Sequence, residues 1–154
     1  MAHPQTGEIA PDFTLPTDNG QITLSSLKGK PIVVYFYPKD DTSGCTKEAI
    51  AFSQLKPEFD KIGVTIIGVS PDSATKHEKF RKKHALTIDL VADEERTALE
   101  AYGVWVEKSM YGRKYMGVER TTFLIGADGR VAQIWNKVKV ADHAEAVLEA
   151  ARAL

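Results

Sequence analysis

Cys45 is the only cysteine in a chain of 154 residues, and its surroundings are those of a reactive thiol. The run Val33-Val34-Tyr35-Phe36-Tyr37 is apolar, β-branched and aromatic, and it stops at Pro38. A polar turn, Lys39 to Gly44, leads into Cys45-Thr46-Lys47-Glu48, where a helical pattern begins. This predicts a thiol at the N-terminal end of a helix, just beyond a buried strand. The N–H groups of a first helical turn have no intrahelical acceptor, and the helix dipole favours an anion there. The thiolate is the nucleophile of cysteine chemistry, yet a thiol of ordinary acidity is only a few per cent ionised at neutral pH. A two-unit shift in pKa corresponds to roughly 2.7 kcal/mol. A helix N-terminus typically contributes about 0.3–1 kcal/mol. The dipole alone falls short, so a cation is expected beside the sulfur.

Other thiol chemistries fit less well. One cysteine cannot close an internal disulfide and offers no cluster for zinc. A cysteine–histidine hydrolase needs an imidazole against the thiol, and His3, His77, His84 and His143 are scattered through the chain. His77 and His84 fall on one predicted helix, where Lys76, Lys79, Lys82 and Lys83 suggest a solvated surface. Trp105, Tyr111, Tyr115 and Trp135 read as packing residues, and the stretch from Trp105 to Met116 as a candidate lining of an entrance to the thiol.

The elements that must position Cys45 follow from pattern. Phe13 to Pro16 and Gln21 to Leu24, separated by Thr17-Asp18-Asn19-Gly20, predict a hairpin. Ser25 to Lys30 reads as one helical turn. Pro31 to Tyr37 predicts a strand buried on both faces of a mostly parallel sheet. Ile50, Phe52, Leu55, Phe59 and Ile62 predict a helix over Cys45 to Ile62, kinked or split at Pro57. Val64 to Val69 is a second buried strand, and Ser70-Pro71-Asp72-Ser73 caps a helix running to about His84. A short strand over Ile88 to Val91 and a short helix over Asp93 to Tyr102 follow. Val104 to Val118 reads as a strand and a long glycine-punctuated loop. Arg120 to Ile125 and Val131 to Trp135 are strands joined by Gly126-Ala127-Asp128-Gly129, and Asp142 to Leu154 is an amphipathic helix. The order is that of an α/β, thioredoxin-like fold: a central mixed sheet flanked by helices.

Composition sets the bounds. Residues 1–154 are expected to form a single domain, long enough to bury roughly 70% of its unfolded surface. Apolar residues make up 43% and charged residues 27%, with a formal net charge of −1 and no basic patch, so no nucleic-acid partner is expected. No apolar run approaches the ~20 residues of a membrane span, and the N-terminus lacks the charge and apolar core of a signal peptide. A cytoplasmic location is expected.

The residues around Cys45 resemble a known family. Pro38, Thr42 and Cys45 stand at P-x3-T-x2-C spacing, similar to the peroxiredoxin active-site motif. The longer run Phe36 to Ala49, with Ala10-Pro11-Asp12-Phe13 before it and Glu119 to Ile125 after it, is similar to the bacterioferritin-comigratory-protein subfamily. The resemblance spans nearly the whole chain. It implies a thiol-dependent peroxidase that reduces hydrogen peroxide and organic hydroperoxides with no cofactor, its thiolate becoming a sulfenic acid. It nominates Arg120 as the missing cation, Thr42 as a hydroxyl partner of the peroxide, Pro38 as a lid over the thiolate, and Glu48 as the carboxylate that steadies the arginine. Many members carry a second cysteine five residues after the first; here that position is Ile50. The implied enzyme is a one-cysteine variant, a monomer or weak dimer, resolved by an external thiol such as thioredoxin, glutaredoxin or glutathione. The alternative is a non-catalytic redox sensor or switch on the same fold.

Overall fold

A computed structural model describes residues 3–154, and in it the apolar run before Cys45 is a central strand. The elements are β1 (Thr14–Thr17), β2 (Gly20–Thr23), a 3-10 turn (Leu24–Leu27), β3 (Ile32–Phe36), α1 (Ser43–Lys61), β4 (Thr65–Ser70) and α2 (Ala74–His84). They continue with β5 (Asp89–Ala92), α3 (Thr97–Ala101), β6 (Trp105–Met110), β7 (Arg113–Val118), β8 (Thr121–Ile125), β9 (Val131–Trp135) and α4 (His143–Arg152). Seven strands form one mixed sheet in the order β2-β1-β5-β4-β3-β8-β9. β3, β4 and β5 run parallel, and β8 lies antiparallel against β3. This is the thioredoxin-like arrangement that the order of elements implied.

All five residues of β3 are buried because helices cover both faces of the sheet. Val33, Tyr35 and Tyr37 point to one side and pack with Cys45, Ala49 and Phe52 of α1, Phe80 of α2 and Val147 of α4. Val34 and Phe36 point to the other and pack with Leu99 of α3, Tyr102 and Phe123. The Tyr35 ring lies against Gly68 of β4, where a Cβ would stand 2.7 Å from its Cζ, so glycine at this register position is what admits the tyrosine.

Pro57 neither splits α1 nor ends it. A proline removes the N–H that would bond to the carbonyl four residues earlier, here that of Ser53. That carbonyl instead accepts from the Thr87 hydroxyl at 3.4 Å, while the Thr87 N–H donates to Ser53 Oγ at 3.2 Å. The cap predicted before α2 is present: Ser73 Oγ accepts from the Lys76 N–H at 3.2 Å.

Expectations in two regions need correction. Residues 105–118 are a two-stranded antiparallel hairpin rather than a strand and a long loop. Its turn is Tyr111-Gly112, both at positive φ, between the paired Met110 and Arg113. Two positive φ values in a two-residue loop match the twist of the flanking strands. Tyr111 at the tip is 98% exposed and Tyr115 is exposed, so these two are not packing residues. Trp105, by contrast, is partly covered, with the Arg96 guanidinium 5.1 Å from its ring. The second correction concerns His77, which is fully buried and not on a solvated surface. The lysines around it point outward, while His77 and Phe80, three apart, share the inner face of α2.

Candidate active site

Strand directions bring together residues that are far apart in sequence. Phe36, at the end of β3, is paired with Thr121, at the start of antiparallel β8. The residue before β8, Arg120, therefore stands beside the loop that follows β3. Its backbone is held on both sides: the Glu119 N–H donates to Val104 O at 2.8 Å, and the Arg120 carbonyl accepts from the Val138 N–H at 2.9 Å. Thr42 is the extended residue that opens α1, and Cys45 falls in the first turn as a buried residue, 1% exposed. The Thr46 N–H is the first to find an intrahelical partner, Thr42 O at 2.8 Å. The earlier N–H groups of that turn have no such acceptor within the helix.

The arginine grips two partners at once. Nη2 donates to Cys45 Sγ at 3.2 Å, and Nη1 donates to Glu48 Oε1 at 2.6 Å. Cys45 and Glu48 are one helical turn apart, so a single planar fork reaches both. Gly44 makes room for it, since a Cβ there would meet Nη2 at 3.2 Å. Sequence reasoning missed Gly44; its signal was a glycine inside the first turn of a helix, immediately before the cysteine. The Thr42 hydroxyl donates its one proton to Lys39 O at 2.9 Å, leaving lone pairs to accept a hydrogen bond. Pro38 is half-buried at the start of the same loop. The structure thus brings Cys45, Arg120 and Glu48 into direct contact, with Thr42 and Pro38 on the loop that leads into them. No histidine hydrogen-bonds to Cys45 among the described residues. His143 Nε2 instead meets Thr122 Oγ1 at 2.8 Å, and burial, with Arg120 nearby, lowers its pKa to about 4.

Charge in the site is balanced against burial. Burial pushes the Glu48 carboxyl up to about 7, although Arg120 pulls it down. Its second oxygen, Oε2, has no hydrogen-bond partner among the described residues. Burial works against the charge on Arg120, but Glu48 and Cys45 beside it hold its pKa above the ordinary value. Lys108 of β6 is a second cation near the site, its pKa lowered by burial and by Arg120.

The Glu48 shift has a measurable sign. Folding raises this pKa from 4.5 to about 7, so between those values the folded state binds more protons than the unfolded one. Stability linked to Glu48 is therefore full below the unfolded value and falls as pH rises through the folded one. Glu48→Gln removes that titration. In urea unfolding at about pH 5 and pH 8, the Gln variant is expected to gain up to about 3 kcal/mol relative to the parent at the higher pH. An unchanged difference between the two pH values contradicts it.

Residues 6–134 match the model of the AhpC/TSA family. The chain belongs to that family. Peroxiredoxin Bcp of Bacillus subtilis is 49% identical over 146 residues, covering 94% of this chain and 93% of that one. A bacterioferritin comigratory protein structure from Xanthomonas campestris superposes with a TM-score of 0.90 at 44% identity, covering 99% of this chain and 98% of the other. A cysteine-to-serine variant of Xylella fastidiosa PrxQ gives 0.93 at 37% identity, with the same coverage of both chains. The family, and the peroxiredoxin subfamily that the motifs resembled, are thus shared across nearly the whole chain.

Proposed function

We propose that this protein is a one-cysteine thiol peroxidase acting on hydrogen peroxide and organic hydroperoxides through Cys45. The observation that carries the reading is the Arg120 guanidinium 3.2 Å from a sulfur in the first turn of a helix. The structure of the Xanthomonas relative is described in terms of alkyl peroxide reduction, which supports the same chemistry here. The thiolate attacks one peroxide oxygen, the O–O bond breaks, and the leaving alkoxide or hydroxide takes a proton to become alcohol or water. Cys45 becomes a sulfenic acid. Arg120 stabilises charge as that bond lengthens, Thr42 accepts a hydrogen bond from the peroxide, Pro38 limits water, and Glu48 holds the arginine.

With one cysteine in the chain, an external thiol condenses with the sulfenic acid to give a mixed disulfide and water, and a second thiol releases Cys45. That reductant, of the thioredoxin, glutaredoxin or glutathione class, must reach a cysteine residue that is 1% exposed. A single domain spanning 1–154 is supported by one sheet that draws strands from Thr14 to Trp135. A cytoplasmic protein that is a monomer or weak dimer is our reading of the rest. Among the described residues no helix is long and apolar enough to cross a membrane.

The test is stopped-flow oxidation of pre-reduced protein by hydrogen peroxide from about pH 5 to pH 9. A rate orders of magnitude above a free thiol is expected, with continuous turnover once a thiol reductant is added. A rate no faster than that of a free thiol at every pH overturns the peroxidase. Fast oxidation without turnover favours a redox switch.

A further inference from the structure

The loop between β3 and α1 is clasped by a buried network that the chemistry at Cys45 does not itself use. Asp40 lies in that loop and is 9% exposed; His77 of α2 is fully buried, and Asp72, beyond β4, is 7% exposed. Asp40 Oδ2 is 2.6 Å from His77 Nδ1, and Asp40 Oδ1 accepts from the Tyr37 hydroxyl at 2.6 Å. His77 Nε2 faces Val91 O at 3.0 Å. A carbonyl only accepts, so Nε2 donates, and Nδ1 faces the Asp40 carboxylate. Three elements, the loop, α2 and β5, meet on that one imidazole.

The network ends on Thr42. The peptide between Lys39 and Asp40 is held at both ends: its N–H donates to Asp72 Oδ2 at 2.7 Å, and its carbonyl accepts from Thr42 Oγ1 at 2.9 Å. Asp72 Oδ2 also accepts from the Ser70 hydroxyl at 2.8 Å, which fixes the carboxylate on β4. A peptide unit is planar. Turning that unit therefore turns the acceptor of the threonine proton, and with it the direction in which the threonine lone pairs point.

We propose that Asp40, His77 and Asp72 are positioning residues that aim the Thr42 hydroxyl at the peroxide through the Lys39–Asp40 peptide. The inference rests on the peroxidase reading of Cys45 and goes beyond it. It makes α2, which contributes no residue to the Cys45–Arg120–Glu48 contact, part of the catalytic geometry.

The frame acts on peroxide activation and leaves the Arg120–Cys45 contact untouched. Two rates separate these: oxidation of Cys45 by hydrogen peroxide, and alkylation of Cys45 by iodoacetamide, which reads the thiolate alone. Asp40→Ala is expected to slow oxidation by about 10²-fold, the scale of a misplaced reacting group, with alkylation within about twofold of the parent. Asp40→Asn should restore oxidation to within about threefold, because its amide oxygen still accepts from Tyr37 and its NH₂ can donate to His77 Nδ1. In a Thr42→Val background, Asp40→Ala should slow oxidation no further.

Asp72→Ala tests the same frame from the other end if Asp40→Ala fails to fold. The frame is overturned by parental oxidation in Asp40→Ala or Asp72→Ala, by alkylation falling in parallel, or by losses that add in the double variant. Parental protein oxidised no faster than a free thiol overturns the peroxidase reading itself, and this inference with it.

Discussion

Cys45→Ser is expected to abolish peroxide consumption while leaving the fold in place. The chain has no other thiol to take over. A serine hydroxyl next to Arg120 stays protonated at any pH the fold tolerates, so the helix terminus and the guanidinium have no anion to present. The fold should survive because the change is small and its polar atom is not stranded. A buried hydroxyl without a partner costs about 1–3 kcal/mol, but Arg120 Nη2 stands where it donated to sulfur at 3.2 Å. Turnover with a thiol reductant at the limit of detection, together with an unfolding midpoint close to the parent's, is the expected pair of results. Residual turnover above the uncatalysed rate contradicts any mechanism that runs through this sulfur alone.

That Cys45 could be singled out from sequence reflects how local its positioning is. A strand buried on both faces, a proline and the first turn of a helix are consecutive in the chain, and each has a pattern of its own. Arg120 is the opposite case. It lies 75 residues from Cys45 and meets it only because β8 runs antiparallel to β3. No periodicity reports that pairing, so the resemblance alone nominated it. Glu48 was legible as a same-face neighbour of Cys45, but not as a carboxylate buried to 1% exposure with one oxygen unpartnered.

The misreadings also have physical causes. The 105–118 hairpin buries little, so its strands lack the apolar alternation that marks a half-buried strand. What betrayed it was the Tyr111-Gly112 pair, a two-residue loop with a glycine at its second position. His77 was hidden by its lysine neighbours. Its spacing to Phe80 was the readable signal, and the Asp40 that receives it comes from a loop 37 residues earlier.

Arg120→Ala should be the most damaging change that leaves the sulfur in place, and it separates catalysis from stability. Two contacts vanish together, the 3.2 Å donation to Cys45 and the 2.6 Å pair with Glu48. Losing an electrostatic clamp on a developing charge typically costs about 10²–10³-fold in rate, and peroxide attack on Cys45 is expected to slow by that much. Breaking a buried ion pair from one side typically costs about 3–5 kcal/mol, because the remaining charge is stranded. Here the cost is capped, since Glu48 already titrates at about 7 with its partner present and can take up a proton without it. The Ala variant should therefore lose stability most steeply as pH rises. Adding Glu48→Gln removes the stranded carboxylate and is expected to recover that stability without recovering the rate. If attack on peroxide returns along with stability in the double variant, Arg120 acts by holding the fold together and not by holding the thiolate and the peroxide.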